Sequence, residues 1–373
     1  MKNRFGAETL GITNKVIEQD LHDIFNTLLD REKAIFQGQT ILLTGCAGFL
    51  GFYFIHFFCY FADDFGIVSI IGLDNFKLGR PTWLDRLEVG SKGFLKVRGF
   101  DISKDRLMDL PGAEDASLVI HMASIASPTF YRQFPLDTID ANIWGLRALL
   151  DFYRGKRLKG LLFFSSSEIY GDPLPQFVPT LEEYRGNVSP TGPRACYDES
   201  KRFGETLCYV YSEQFGLPIA VVRPFNNYGP GMNLNDRRVP ADFAKAVLNN
   251  EDISILSDGS PTRTFCYVAD AVAGYLKALL YGKFEPFNIG IDRPEITITE
   301  LAKFYVEAAG ILFGYKGKVR YEAPVEKQYL IHNPMRRCPS IKKARQILGF
   351  NPTLEVKDGV PRFLEFLQIE RAK

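Results

Sequence analysis

The sequence of 373 residues lacks a charge bias and lacks a metal-binding cysteine pattern. Its 45 basic and 44 acidic residues leave a net charge of +1, without the positive excess with which proteins bind nucleic acids. Its six cysteines show no C-x-x-C spacing, and several stand in apolar segments, which indicates a reducing compartment rather than a disulfide framework. No signal-peptide pattern and no internal repeat is evident. We therefore expect a cytoplasmic protein whose partners include neither nucleic acid nor a membrane nor a metal.

One long apolar run, from Ile41 to Phe61, offers a membrane-spanning alternative, because about 20 apolar residues can cross a bilayer. Three glycines and Thr44 interrupt its first half and His56 its second, and no basic flank marks an orientation. A buried parallel strand followed by a helix packed on the sheet has the same composition. We expect the second arrangement.

The glycine-rich turn inside this run is typical of a dinucleotide-binding fold. Gln39 to Thr44 is a predicted strand, and a helix-length apolar run follows the turn. In such a turn one glycine permits the bend, one lets the backbone approach the pyrophosphate, and one packs the helix against the strand. The pyrophosphate then lies at the helix N-terminus. The predicted contacts are Gly45, Gly48, Phe49, Leu50 and Gly51.

The ends of later predicted strands extend this cofactor site. Val68 to Leu73 leads into Asp74, whose carboxylate would accept hydrogen bonds from the adenosine ribose and repel a 2′-phosphate, so NAD is favoured over NADP. Lys77 and Arg80 follow closely and would oppose that preference unless they pair with local carboxylates. The other predicted cofactor contacts are Asn75, Asp101, Ile102 and Ala123.

Tyr197 and Lys201 stand four residues apart, so on a helix their side chains share one face. A nearby ammonium lowers the pKa of a phenol from its ordinary value of about 10. A phenolate can take a hydroxyl proton while a hydride leaves the carbon. By itself such a pair is usually a solvated surface pair, but together with the glycine turn it indicates NAD-dependent oxidation of a hydroxyl group.

The alternation of predicted strands and helices gives an α/β fold, a Rossmann-type doubly wound parallel sheet with a smaller C-terminal substrate-binding lobe. Residues 1–37 form a helical extension with apolar residues at helical spacing. The predicted NAD-binding domain is 38–223, with 251–284 returning to it. The predicted substrate lobe is 224–250 and 285–373.

Several motifs resemble the extended short-chain dehydrogenase/reductase family that modifies nucleotide sugars. Over residues 38 to 365 they are Gly45-x-x-Gly48-x-x-Gly51, Asp74-Asn75, His121-Met122-Ala123-Ser124, Ser165 to Pro173 and Tyr197-x-x-x-Lys201. The UDP-glucuronate decarboxylase (UDP-xylose synthase) group is the most similar within it, through Ala126-Ser127-Pro128, Gly192 to Glu199, Arg223 to Asn226 and Arg337 to Ala344. The leading helix is not part of the family pattern.

The resemblance implies an NAD-dependent decarboxylase that converts UDP-glucuronate to UDP-xylose through a 4-keto intermediate, with NAD regenerated. We also expect a homodimer. Ser167-Glu168 stands where the 4,6-dehydratases have an acidic pair, and a serine cannot act as that acid. The 4-epimerases typically lack a carboxylate at the Glu168 position. A nucleotide-sugar 4-epimerase, another 4-keto-forming enzyme, or a catalytically silent NAD-binding protein are the alternatives.

The resemblance also implies residue roles. Ser166 would bind the C4 hydroxyl, Tyr197 take its proton, and Lys201 hold the nicotinamide ribose. Glu168 would order the protonation at C5, and Arg337 would approach the sugar carboxylate. These five are the predicted catalytic residues.

The implied substrate contacts are Ser127, Tyr131, Ser167, Asn226, Arg263 and Arg337, with Asn226 and Arg263 suited to diphosphate oxygens. A structural role for Glu168, a surface position for Arg337 and an exposed packing role for Tyr131 are the alternatives. Gly231 and Ser257 depart from the family pattern near the nucleotide base.

Overall fold

The structure is a computed structural model that describes residues 5–323, 331 and 333–372. Its strands are β1 (Thr40–Thr44), β2 (Ser69–Asp74), β3 (Leu95–Gly99), β4 (Ala116–His121), β5 (Gly160–Phe164), β6 (Ile219–Pro224), β7 (Asn227–Tyr228), β8 (Ile253–Ile255), β9 (Thr262–Arg263), β10 (Cys266–Tyr267), β11 (Glu285–Ile289), β12 (Ile296–Thr297), β13 (Val319–Tyr321) and β14 (Arg336–Arg337).

The α-helices are α1 (Lys15–Thr27), α2 (Asp30–Lys33), α3 (Phe49–Tyr60), α4 (Ala62–Phe65), α5 (Thr82–Gly90), α6 (Pro128–Gln133), α7 (Pro135–Ile139), α8 (Leu146–Tyr153), α9 (Ala195–Phe215), α10 (Val239–Leu248), α11 (Val268–Leu279), α12 (Ile298–Phe313), α13 (Lys342–Leu348) and α14 (Val356–Arg371). A π-helix, Asp140–Gly145, precedes α8.

Seven parallel strands form the central sheet in the order β11-β6-β5-β4-β1-β2-β3. The order reverses between β1 and β4, as in a doubly wound fold, so the predicted Rossmann-type fold is confirmed. Strands covered by helices on both faces are apolar throughout. Every residue of β1 and β5 is accordingly buried.

The long apolar run is divided between β1, the glycine turn and α3. Helix α3 is apolar on all sides because it packs against α1, α5 and α11. Within the described ranges, no helix is long and apolar enough to cross a membrane.

The N-terminal extension packs on the body as helix α1, which buries Val16, Ile17, Leu21 and Ile24 against α3, α11 and α14. Asp20 on this helix is completely buried. Its carboxylate accepts hydrogen bonds from the hydroxyls of Tyr53 and Tyr267 and forms an ion pair with Arg362. Burial raises the pKa of Asp20 to about 7.

The predicted boundary at residue 285 differs from the observed sheet. Strand β11 pairs with β6 at the sheet edge, because Phe287 and Ile289 complete the buried apolar surface there. The sequence boundary had placed this strand in the second lobe. Strand β8, which the same boundaries returned to the first domain, instead pairs with β13, whereas α11 packs on β5 and β6.

Candidate active site

A cavity of about 830 Å³ runs along the carboxyl edge of the sheet, where doubly wound folds bind their ligands. Every residue predicted for the site lines this cavity. One end is formed by the glycine turn and the ends of β2, β3 and β4. The other end is formed by the end of β5, the start of α9 and residues that follow β6.

The three positions of the turn have different structural requirements for glycine. Gly45 has a φ of +72°, and a Cβ there would lie 2.7 Å from the backbone nitrogen of Ala123. A Cβ on Gly51 would lie 2.2 Å from the carbonyl oxygen of Cys46. A Cβ on Gly48 would meet only the Gly45 oxygen, at 3.3 Å. The chain itself therefore requires glycine at 45 and 51, while Gly48 leaves bare backbone at the N-terminus of α3, which fits a diphosphate.

Asp74 closes this turn from the end of β2. Its carboxylate accepts hydrogen bonds from the backbone nitrogens of Ala47, at 3.0 Å, and Phe76, at 2.8 Å. Burial raises its pKa above the ordinary value. Each carboxylate oxygen accepts only one of these hydrogen bonds and so has a further acceptor site for a ribose hydroxyl.

The two cations that follow Asp74 are held by local carboxylates. Lys77 Nζ lies 2.6 Å from Asp137, and Arg80 contacts Asp85 at 2.6 Å. Arg80 also contacts Glu88, at 2.7 Å. Neither cation is therefore committed to a 2′-phosphate, which fits NAD better than NADP. Asn75, Asp101, Ile102 and Ala123 line the same end of the cavity.

Tyr197 lies in the first turn of α9 and is buried. Its ring stacks on that of Tyr131, with centroids 5.1 Å apart and planes within 11°. Burial raises the pKa of Tyr197 to about 12, and a hydrogen bond with Ser166 acts in the opposite direction. The phenol of the chain itself is thus protonated at neutral pH.

Lys201 shares the helix face with Tyr197, but its ammonium points elsewhere. Nζ donates a hydrogen bond to the carbonyl oxygen of Phe164, at 2.7 Å, and lies 5.8 Å from the Tyr197 ring centroid. Burial lowers the pKa of Lys201 to about 7. The expected lowering of the Tyr197 pKa by Lys201 is therefore absent from the chain itself, because desolvation disfavours both charged forms.

Glu168 lies between two arginines at the end of the cavity formed by β5 and α9. It belongs to the 3-10 helix Ser167–Tyr170, where its backbone nitrogen donates to Ser166 Oγ. One carboxylate oxygen accepts from Arg194 and the other from Arg337. Although burial alone would raise it, the two guanidinium groups bring the pKa of Glu168 down to about 2. Glu168 is an ionised acceptor at neutral pH and not a proton donor.

Arg194 and Asp198 were not predicted as site residues. Arg194 Nε lies 3.6 Å from Asp198, one helical turn further along α9. Burial, followed by the charge of Glu168, raises the pKa of Asp198 to about 7. The sequence did carry a signal for this ion pair. Arg194 and Asp198 stand four residues apart on either side of Tyr197, and both lie within the run that resembles the decarboxylase group.

Arg337 is buried, and its Nη2 donates a hydrogen bond to the carbonyl oxygen of Gly171, at 3.1 Å. The surface alternative for Arg337 is therefore wrong. Arg263, which pairs with it in register between β9 and β14, donates only to an amide and to carbonyl oxygens, and the described residues give it no carboxylate partner. Burial, with repulsion from Arg337, lowers the pKa of Arg263 to about 9. This uncompensated cation suits an anionic ligand.

The remaining predicted contacts differ in how free their polar groups are. Asn226 has a φ of +43°, and its amide donates to the carbonyl oxygen of Thr264. Ser127 Oγ donates to the carbonyl oxygen of Asp236, at 2.7 Å. Tyr131 is completely buried rather than exposed, and its hydroxyl has no hydrogen-bond partner among the described residues.

The two departures near the nucleotide site also have local reasons. Gly231 has a φ of +83°, and a Cβ there would lie 2.7 Å from the ring of Phe52, so an arginine would strain the backbone and displace Phe52. Ser257 Oγ accepts a hydrogen bond from the backbone nitrogen of Gly259, at 3.1 Å.

Residues 41–290 match the model of the NAD dependent epimerase/dehydratase family. The protein belongs to this family. Membership confirms the predicted resemblance and the predicted cofactor, NAD.

Similar proteins include UDP-glucuronic acid decarboxylase 6 of Arabidopsis thaliana, 34% identical over 89% of this chain and 90% of that protein. UDP-glucuronic acid decarboxylase 1 of Xenopus tropicalis is 33% identical over 89% of this chain and 73% of that protein. Among solved structures, the UDP-glucose 4-epimerase of Thermotoga maritima has a TM-score of 0.76 and 26% identity, covering 89% of this chain and all of that one.

Proposed function

We propose that the protein is an NAD-dependent decarboxylase that converts UDP-glucuronate to UDP-xylose. The observation that carries the proposal is the partly buried Glu168, held between the buried Arg194 and Arg337, beside Ser166 and Tyr197. The names of the similar proteins support the same reaction.

The charges at the end of the cavity formed by β5 and α9, which is the sugar end in this proposal, favour an anionic substrate. Arg194, Arg263 and Arg337 bring three positive charges into the buried region, whereas Glu168 brings one negative charge and Asp198 is only partly ionised at neutral pH. Burying unbalanced cations is costly unless a ligand anion compensates them. A diphosphate near Arg263 and a sugar carboxylate near Arg337 would provide that compensation.

The first step is proton transfer from the C4 hydroxyl. Ser166 holds that hydroxyl beside Tyr197, and Tyr197 takes its proton. Held by the glycine turn, Asp74 and Lys201, NAD would supply a reversible hydride acceptor for C4 and a positive charge that favours the Tyr197 phenolate. Lys201, whose Nζ donates a hydrogen bond to the carbonyl oxygen of Phe164, would hold the ribose next to the nicotinamide ring.

The second step is loss of carbon dioxide. The ketone at C4 lies β to the carboxylate, so the bonding electrons can move into an enolate as carbon dioxide leaves. Arg337 holds the carboxylate until it leaves, and Glu168 keeps the guanidinium in place. Because the pKa of Glu168 is about 2, the proton added at C5 comes from water or from a group that Glu168 orders. Tyr197 then returns its proton to the C4 oxygen.

The same proposal includes a homodimer in a reducing cytoplasm. Trp144, on the π-helix, is 60% exposed, and Phe203, on the neighbouring α9, is 48% exposed. These side chains give the two helices an apolar outer surface suited to a second copy. The six cysteines are all free.

Incubation of purified protein with a panel of nucleotide sugars, with detection of carbon dioxide, tests the proposal. We expect carbon dioxide only from the uronate, and NAD rather than NADP on denaturation of the protein. Interconversion of C4 epimers without loss of carbon would replace the decarboxylase by the 4-epimerase. Sedimentation of wild type and of Phe203→Asp tests the dimer, since a buried charge would give monomers.

A further inference from the structure

The ion pair of Glu168 and Arg337 joins two segments that are 169 residues apart in the chain. Glu168 lies in the 3-10 helix that follows β5 of the central sheet. Arg337 lies in β14, a two-residue strand that pairs with β9 in another sheet. The spacing of the pair therefore depends on contacts between these segments outside the cavity.

Asn288, in β11, makes such contacts and is completely buried. Its Oδ1 accepts a hydrogen bond from the hydroxyl of Tyr170, at 2.8 Å. Its Nδ2 donates to the carbonyl oxygens of Thr180, at 2.9 Å, and Ser340, at 3.2 Å. The backbone nitrogen donates to Glu182, at 2.9 Å. One amide thus binds three separate segments of the chain.

Two of these segments carry the ion pair. Tyr170 is two residues after Glu168, in the same 3-10 helix, and Ser340 is three residues after Arg337. Thr180 is bound to the second segment as well, since its backbone nitrogen donates to the oxygen of Cys338 and its oxygen accepts from Ser340, each at 2.8 Å.

The direction of these hydrogen bonds is fixed by Arg223. Its Nη1 donates to the Tyr170 hydroxyl oxygen, at 2.6 Å, so the Tyr170 hydroxyl donates its own proton to Asn288 Oδ1. The guanidinium is itself held by two hydrogen bonds to Glu205, at 2.8 and 2.6 Å. Only an amide offers Asn288's combination of one acceptor and two donors at this size.

We propose that Asn288 is a positioning residue that sets the distance between Glu168 and Arg337, and that it acts on decarboxylation and not on the oxidation at C4. The inference rests on the proposed function, because it assigns this ion pair to the step at the carboxylate. Asn288 does not line the cavity, so its effect passes through Tyr170 and Ser340.

The test uses Tyr170→Phe, which removes only the hydroxyl that holds the Asn288 oxygen, together with Asn288→Leu, which keeps the size and removes every side-chain hydrogen bond. The matched control is Tyr153→Phe. Tyr153 is also completely buried, and its hydroxyl donates to the carbonyl oxygen of Ala113, at 2.8 Å, away from the cavity. In single turnover with UDP-glucuronate, NADH absorbance follows the oxidation and carbon dioxide release follows the second step.

We expect Tyr170→Phe to slow carbon dioxide release about tenfold and NADH formation less than about twofold, because displacement of reactive groups by about 1 Å costs one to two orders of magnitude. In the double variant with Glu168→Gln, carbon dioxide release should fall no further than in Glu168→Gln alone, since coupled residues are not additive. Asn288→Leu should show the same pattern more strongly, and Tyr153→Phe neither effect.

Equal slowing of both steps by Tyr170→Phe, or multiplication of its effect with that of Glu168→Gln, would overturn the inference while the decarboxylase assignment stood. Absence of carbon dioxide from the wild type would instead overturn the proposed function and the inference with it. If Asn288→Leu does not fold, Tyr170→Phe alone decides.

Discussion

The two ends of the cavity are built in different ways. The cofactor end uses the backbone of consecutive residues, with Gly45, Gly48 and Gly51 in one turn and Asp74 bound directly to that turn. The sugar end uses buried charged side chains from distant segments, with Glu168 between Arg194 and Arg337. A local turn tolerates change elsewhere in the chain, whereas a buried charge network depends on every partner. Binding of NAD and chemistry at the sugar should therefore be separable by mutation.

The largest expected effect comes from Tyr197→Phe, at the junction of the two ends. The substitution keeps the ring that stacks on Tyr131 and removes the proton acceptor. Turnover should fall by at least about 100-fold, the usual contribution of general acid–base catalysis. NAD affinity, measured by calorimetry, should stay close to that of wild type. Turnover near the wild-type rate would exclude Tyr197 from the mechanism.

Glu168→Gln and Arg337→Ala should break the sugar end alone. Glu168→Gln leaves the buried guanidinium of Arg337 without its carboxylate, which is strongly unfavourable. Arg337→Ala leaves Glu168 with Arg194 as its remaining guanidinium partner. Carbon dioxide release should fall by about 10-fold to 100-fold, while enzyme-bound NADH accumulates in single turnover. Arg336→Ala is the matched control, because Arg336 pairs with Glu295 at 2.7 Å and does not line the cavity. Carbon dioxide release at the wild-type rate in both variants would refute the assignment of this pair.

Gly48→Ala and Gly51→Ala should divide the cofactor end into its folding part and its binding part. The Gly51 substitution places a methyl group against the Cys46 backbone, so the free energy of unfolding should fall by about 1–3 kcal/mol. The Gly48 substitution meets little in the chain and should weaken NAD binding about tenfold, because its methyl group would keep the diphosphate away from the backbone at this turn. Thermal unfolding and calorimetric titration separate the two. Unchanged NAD affinity in Gly48→Ala would contradict a diphosphate at this turn.

The sequence predicted the strand, glycine turn and helix at the cofactor end because their determinants are local. The spacing of Gly45, Gly48 and Gly51 needs no knowledge of the rest of the fold. The partners of Glu168 could not be obtained in this way, since Arg337 is 169 residues distant. The direction of the pKa shift at Tyr197 could not be predicted from the sequence either, because desolvation of the phenol depends on the packed fold. The strand boundary at residue 285 failed for the same reason, since pairing with β6 is non-local.

The smallest expected effect concerns Asp20, a buried carboxyl group outside both ends of the cavity. The pKa of Asp20 is about 7 in the folded chain and about 4 when unfolded. Between these two pH values the folded state therefore binds more protons than the unfolded state. The contribution of Asp20 to the free energy of unfolding is fully present below about pH 4 and is lost as pH rises to about 7. The loss is at most about 1.4 kcal/mol per pH unit.

Asp20→Asn keeps an acceptor for Tyr53 and Tyr267 but cannot titrate. Urea unfolding across this pH range should show a smaller decline in stability in the variant than in wild type. Glu168→Gln is the opposite control. The pKa of Glu168 is about 2, so its contribution is present above about pH 4 and is lost only as pH falls further. An identical decline in wild type and Asp20→Asn would exclude Asp20 as its source.

The N-terminal helix has a practical consequence for expression. The family match starts at residue 41, so a chain trimmed to the family boundary would omit α1 and Glu32. The trimmed chain would expose the apolar surface of α3 and leave the buried ammonium of Lys277 without Glu32, its partner at 3.0 Å. We expect such a fragment to aggregate in the cell. The family match therefore begins after the residues that cover α3 and pair with Lys277, and recombinant or domain-swapped versions should start before α1.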